Sequence, residues 1–175
     1  MPSRLRIPLG YAFGALALAL ARATLASLLL GVPVALVGEA IRIWASGHIE
    51  KTHALATGGP YAHSRNPLYF GSLLLAVGLA LAAGSRWVGL ATALYLLAFY
   101  PAVMRDEAAF LRAKFSAQYE EWSRDVPLFL PRLTPGGPRA SRFAWARVRA
   151  NREWRTLALL PLLALLLYAR GSLSR

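Results

Sequence analysis

Apolar residues in this chain gather into long blocks separated by short polar joints, without the fine alternation of a water-soluble core. Blocks of that length read as membrane helices. Ile7 to Ala21 is the first and spans about 22 Å at the helical rise. Arg4 and Arg6 precede it, but no clear small-residue cleavage site follows, so it is expected to be a retained anchor. Ala23 to Trp44 is long enough to cross, with Glu39 and Arg42 near its end. Pro67 to Gly84 and Trp87 to Tyr100 or a little beyond form a hairpin about the joint Ser85-Arg86. Thr156 to Tyr168 is shorter and reads either as a further span or as a re-entrant or interfacial segment.

The expected fold class is therefore all-α: a polytopic integral membrane helical bundle of four or five transmembrane helices with cytoplasmic amphipathic helices. Residues 1–133 are expected to form the membrane domain, 134–155 a basic linker with an interfacial helix, and 156–175 a hydrophobic helix and tail. Gly31, Pro33 and Gly38 in the second span permit close helix approach or a kink. Glu39 and Arg42, three apart on one helical face, form either a snorkelling ion pair or part of a polar pocket.

Charge adds a direction. The chain carries a net charge of +12, and its basic residues cluster on the loops that share a side with the N-terminus. The positive-inside rule places that side in the cytoplasm, with a bacterial inner membrane as the expected location. Positive charge flanking greasy spans points to anionic lipid headgroups as partners and not to nucleic acid. Cysteine is absent, which removes disulfides and thiolate nucleophiles; no metal is expected.

The polar residues concentrate in two places. Thr57-Gly-Gly-Pro-Tyr-Ala-His-Ser-Arg-Asn-Pro-Leu-Tyr-Phe-Gly71 begins as a tight turn at Gly58, Gly59 and Pro60. It continues into a helix with Pro67 in the first turn, capped by Asn66. Arg65 and Asn66 then stand where free backbone N–H groups favour an anion. The second place is Arg105-Asp-Glu107, which opens a segment whose Leu111, Phe115, Tyr119 and Trp122 form one apolar helical stripe. That helix either lies along the membrane surface or continues out of the fourth span. Val126 to Pro131 follows as an extended segment. Beyond the flexible break Thr134-Pro-Gly-Gly-Pro138, the tract Arg139 to Arg155 has the composition of an interfacial helix, with Phe143, Ala146, Ala150, Trp154 and Leu157 on one side.

The two ends of the hairpin should be neighbours, which brings both polar places together. Such a pocket offers Arg65 for a carboxylate, Tyr61 and Tyr69 for a cation or an aromatic ring, and Asp106 or Glu107 for hydroxyl and amino donors. S-adenosylmethionine makes those demands. Gly59-Pro60-Tyr61, then Arg65-Asn66-Pro67-Leu68-Tyr69-Phe70-Gly71, then Asp106-Glu107 with Pro131 downstream, resembles the membrane methyltransferases of the isoprenylcysteine carboxyl methyltransferase and phospholipid N-methyltransferase family.

The resemblance covers Arg42 to Leu133, about half the chain. It implies S-adenosylmethionine as cofactor and a membrane lipid or amphiphilic small molecule as acceptor. The implied cofactor-binding positions are Gly59, Pro60, Tyr61, Arg65, Asn66, Pro67, Tyr69, Gly71, Asp106 and Glu107. Asn66 stands where the family commonly has histidine, and Asp106 where it has glutamate; asparagine takes no proton at neutral pH. His48, His53 and His63 are either polar loop residues or bases. His63, inside the motif loop, joins Arg65 and Asn66 as the candidate catalytic group. A sterol-reductase-like enzyme using NADPH and a non-catalytic membrane scaffold are the alternatives.

Overall fold

A computed structural model describes residues 14–50, 54–138 and 140–173. Every regular element among them is helical: α1 (residues 14–20), α2 (Leu25–Ser46), a 3₁₀ turn (Gly59–Ala62), α3 (Pro67–Ala82), α4 (Arg86–Asp125), α5 (Trp145–Ala150) and α6 (Trp154–Leu173). Three helices are long and apolar enough to cross a bilayer, namely α2, α4 and the stretch Trp154–Ser172 of α6. α3 is apolar but shorter, at 16 residues. The chain thus has the build of an integral membrane protein. Exposed Leu29, Leu97 and Leu165 have the outward apolar side chains that a lipid solvent favours.

Thr24 starts α2 with a capping box: its hydroxyl accepts from the Ser27 N–H at 3.1 Å, and the Ser27 hydroxyl accepts from the Thr24 N–H at 2.8 Å. α2 and α3 then run antiparallel in backbone contact. An added Cβ at Gly31 would lie 2.3 Å from the Ala82 nitrogen, at Gly38 2.4 Å from the Leu75 nitrogen, and at Gly78 2.3 Å from the Ala35 nitrogen. Small residues permit that approach where the membrane supplies no hydrophobic driving force between helices. The approach expected at Gly31 and Gly38 is therefore present, with Gly71 and Gly78 as the matching faces.

The last span begins earlier and ends later than the apolar block Thr156 to Tyr168. The fourth span does not stop at Tyr100: α4 continues past Pro101 to Asp125, broken once at Ser116 (φ 40°, ψ −110°). Of the two arrangements open for the amphipathic stripe, continuation is the one adopted. Tyr119 and Trp122 are each 1% exposed, in a core with Ala45, Leu55, Tyr61 and Val126. A second core, at the opposite end, gathers Ala21, Ala23, Leu28, Ala82, Val88 and Leu167.

The basic tract departs from the sequence reading. Only Trp145–Ala150 is helical before α6, and Arg152 breaks the helix with φ 61°. Val148, not the expected Ala146 face, is the buried residue of α5. Residues 141–144 have no regular structure and are tied to the motif loop by Gly58 N–H to Ser141 Oγ (2.9 Å) and to the end of α2 by Ala144 N–H to the Gly47 carbonyl (2.9 Å). Hydrogen bonds to a loop outcompete a short helix whose apolar stripe has no partner.

Gly78→Leu is expected to destabilise the fold by roughly 1–3 kcal/mol through overpacking, seen as a lower unfolding midpoint in detergent. Gly89→Leu is expected to leave it unchanged, because nothing lies within 4 Å of an added Cβ there.

Candidate active site

Two antiparallel hairpins bring the polar places to one end of the bundle. The motif loop enters α3 with Pro67 as the first helical residue. Asn66 does not cap this helix: its Nδ2 donates to the Leu128 carbonyl at 2.8 Å. The N–H groups of Arg65 and Asn66 are also taken, by the Pro127 carbonyl (2.9 Å) and the Ser64 hydroxyl (3.1 Å). They are therefore not the anion-binding groups that the sequence reading made of them. The segment after α4, a run of bends and not the extended stretch expected for Val126 to Pro131, takes the Arg65 N–H and the Asn66 amide, with further bonds from Ser64 Oγ to the Phe129 carbonyl (2.7 Å) and from the Arg132 N–H to the His63 carbonyl (2.9 Å).

What remains is side-chain chemistry in two adjoining cavities. The first, about 300 Å³, is walled by Leu55, Phe110, Leu111, Phe115 and Trp122 with Glu50 and Lys114. The second, about 350 Å³, is lined by Arg42, Asn66, Pro67, Tyr69, Ser72, Tyr95, Tyr100 and Glu153. Tyr61, Arg65 and Glu107 line both. Arg65 donates from Nη1 to the Tyr119 hydroxyl at 3.2 Å, while its buried Nε has no hydrogen-bond partner among the described residues. A buried donor left without a partner is costly.

Tyr61 is fixed from below by Trp122, whose Nε1 donates to the Tyr61 carbonyl at 3.0 Å. Burial pushes its hydroxyl well above the usual tyrosine value, helped by the negative charge of Glu107 and Glu153 and by Tyr69. At neutral pH it is a phenol, able to donate a hydrogen bond or offer a ring face.

The candidate residues divide. Tyr61, Arg65, Asn66, Pro67, Tyr69 and Glu107 come together around the second cavity. Gly59, Pro60 and Gly71 support them from behind: Gly59 (φ 57°) packs on the His48 ring, Pro60 is buried in the turn, and a Cβ at Gly71 would stand 2.7 Å from the Gly38 carbonyl. Asp106 is exposed and lines neither cavity. Nor does His63, whose Nδ1 donates to the Arg132 carbonyl at 2.8 Å. His48 is likewise held, by the Trp44 carbonyl at 2.9 Å. His53 lies outside the described residues.

The residue that the sequence reading missed is Glu153. Its Oε2 accepts from Arg42 Nη2 at 2.7 Å, while Arg42 Nη1 donates to Ser72 Oγ and Nε stands 3.4 Å from Glu39 Oε2. The Glu39 contact is near enough for charge pairing but not aligned as a hydrogen bond. Arg42 is thus committed within the wall; of the expected Glu39–Arg42 pair, Arg42 lines the pocket and Glu39 is buried behind it. The signal was present: Glu153 is the one acid in the tract Arg139 to Arg155.

A helical membrane protein with a tyrosine-lined polar cavity at one end of its bundle is the class defined by this fold and site. Residues 40–118 match the family model described as phospholipid methyltransferase. Among curated relatives, a protein-S-isoprenylcysteine O-methyltransferase of Schizosaccharomyces pombe is 33% identical over 81 residues, 46% of this chain and 34% of that protein. The cobalt-zinc-cadmium resistance protein CzcN of Cupriavidus metallidurans is 40% identical over 108 residues, 61% of this chain and 48% of its own length. The nickel-cobalt-cadmium resistance protein NccN of Alcaligenes xylosoxydans xylosoxydans is 36% identical over 108 residues, covering 61% and 49%. The chain spans about half the length of these two resistance proteins. No solved structure matches it significantly. Over these stretches the chain is similar to phospholipid methyltransferases and to protein-S-isoprenylcysteine O-methyltransferases.

Because the Tyr61 hydroxyl is raised, stability from burying its neutral form is complete below about pH 10 and is lost as pH climbs through the higher folded value. Ultraviolet titration of the folded protein is expected to show a tyrosine ionisation above the ordinary range in the parent that is missing from Tyr61→Phe.

Proposed function

We propose that this chain is an integral membrane methyltransferase that uses S-adenosylmethionine to methylate a lipid-like or amphiphilic acceptor. The observation that carries the reading is the convergence of Tyr61, Arg65 and Glu107, from separate elements, on both cavities. The residues fit the cofactor. Arg65, with its partnerless Nε, would hold the carboxylate; Tyr61 and Tyr69 would face the sulfonium; Glu107 would accept from ribose hydroxyls. When bound, the cofactor supplies an electrophilic methyl group.

The protein's main task is then to align acceptor and donor, which is worth much of the barrier in a displacement. An amine acceptor must also lose a proton. Glu107 and Glu153 are the carboxylates lining the second cavity, and no histidine among the described residues does so. An oxyanion or thiolate acceptor needs no such base.

The charge distribution supports a cytoplasmic site. Arg65, Arg105, Arg112, Arg132, Arg142, Arg149 and Arg152 share the end of the bundle with the cavities, against Arg22, Arg86 and Arg170 at the other. Exposed Arg142 and Arg149 would meet anionic headgroups at a membrane surface, whereas Arg147 is paired with Glu50.

Calorimetric titration tests the assignment, with NADPH as the control ligand. Arg65→Ala and Glu107→Ala are each expected to weaken S-adenosylmethionine binding by roughly tenfold to a hundredfold, the loss of one charge-assisted hydrogen bond. Binding like the parent in both would overturn the site. His63→Ala is expected to keep both binding and methyl transfer, since its ring serves the Arg132 carbonyl instead of the cavities; loss of turnover with binding intact would make His63 the base.

A further inference from the structure

The acids of the chain keep clear of the end of the bundle opposite the candidate active site. Glu39 is the first acid along α2, about 21 Å from its start at Leu25, and Asp106 the first along α4, about 30 Å from its start at Arg86. Glu153 precedes α6, whose other end carries Arg170. Among the described residues the charges of that opposite end are therefore all cationic: Arg22, Arg86 and Arg170.

Arg22 and Arg170 line one cavity there, of about 460 Å³, together with Leu20, Thr24, Ser85 and Trp87. Three pieces of chain form it: the joint between α1 and α2, the joint between α3 and α4, and the end of α6. They are locked through their backbones. The Arg22 N–H donates to the Ala83 carbonyl at 2.7 Å, and Ser27 Oγ donates to the Ala82 carbonyl at 3.1 Å. An added Cβ at Gly84 (φ 63°) would stand 2.6 Å from the Arg22 carbonyl, and one at Gly171 would run into the Ala23 carbonyl. The frame is thus fixed while both arginine side chains stay exposed. Arg170 Nη2 reaches only the Ala19 carbonyl, at 3.4 Å, and neither arginine has a carboxylate partner among the described residues.

The bias of membrane proteins against cations on this side makes an unanswered pair of them informative. The cavity sits where the apolar helices α2 and α4 begin and α6 ends, which is the level of lipid headgroups. Exposed Trp87, with the Arg86 guanidinium 5.3 Å from its ring centroid, is a side chain suited to that interface. We propose that this cavity binds the phosphodiester of an anionic phospholipid in the leaflet opposite the candidate active site. Guanidinium forks match phosphate oxygens. Thr24 and Ser85 add hydroxyls to the lining, and Leu20 and Trp87 border the first methylenes of the lipid. A zwitterionic headgroup would bring its own cation into a cavity that has no acid, so phosphatidylglycerol is favoured over phosphatidylcholine. The bound lipid would tie together three chain segments far apart in sequence.

The probe is phosphatidylglycerol with a diazirine close to the headgroup, photolysed with the full-length protein in phosphatidylcholine nanodiscs and mapped by mass spectrometry. Label on Leu20 and Trp87 is expected in the parent, falling roughly tenfold or more when Arg22→Gln and Arg170→Gln are combined. Combined Arg22→Lys and Arg170→Lys, which keeps both charges, is expected to retain most of the label. Label unchanged in the glutamine variant, or lost equally in the lysine variant, would overturn the proposal. So would equal labelling by a diacylglycerol carrying the same photogroup, which would leave apolar contact only. Displacement of the label by millimolar inorganic phosphate would make this a site for a soluble anion and overturn the lipid assignment.

Discussion

Backbone contact between α2 and α3 is the constraint on which the site depends. Gly38 faces Gly71 so closely that neither position has room for a methyl group. The contact fixes the register of the two helices where it matters, one turn below the motif loop. Arg42 is thereby set beside Ser72, and the entrance of α3 beside the end of α2. Van der Waals packing between small residues is the means open to helices in lipid, where burying apolar surface from water gives nothing. Looser packing would leave Arg42 without Ser72 and the second cavity without a wall.

The non-helical segment after α4 performs the complementary task. It satisfies the backbone and short side chains of the motif loop, so that Ser64, Arg65 and Asn66 are held by main-chain carbonyls from Pro127 to Phe129. A loop held this way keeps the Arg65 side chain pointing at the cavities while using its N–H elsewhere. Trp122 and Tyr119 close the arrangement beneath, one bonded to the Tyr61 carbonyl and the other to the Arg65 guanidinium. Binding groups supported by such a shell need little rearrangement to act.

Much of this was legible in the residues. Periodicity located the stripe Leu111, Phe115, Tyr119 and Trp122; spacing paired Glu39 with Arg42; and a hairpin with a two-residue joint was enough to bring Arg65 near Glu107. Failures came where a choice between local partners is decided by distant chain. Asn66 is a good cap by type, yet a Leu128 carbonyl takes its amide. The tract Arg139 to Arg155 has helical composition, yet its first residues bond to the motif loop and Arg152 turns the chain. His63 sits in the motif, but its ring points to the Arg132 carbonyl. Sequence order carries no record of such competitions.

Glu153 has a temporal implication. The residue that holds Arg42 in the cavity wall is delivered by the turn before α6, after α2, α3 and α4 in chain order. During synthesis α2, α3 and α4 are all made before their last carboxylate exists. A nascent protein therefore carries an Arg42 whose charge is only partly answered by Glu39, and the pocket takes its final shape once α6 inserts. Chain order therefore makes this wall of the site wait for α6.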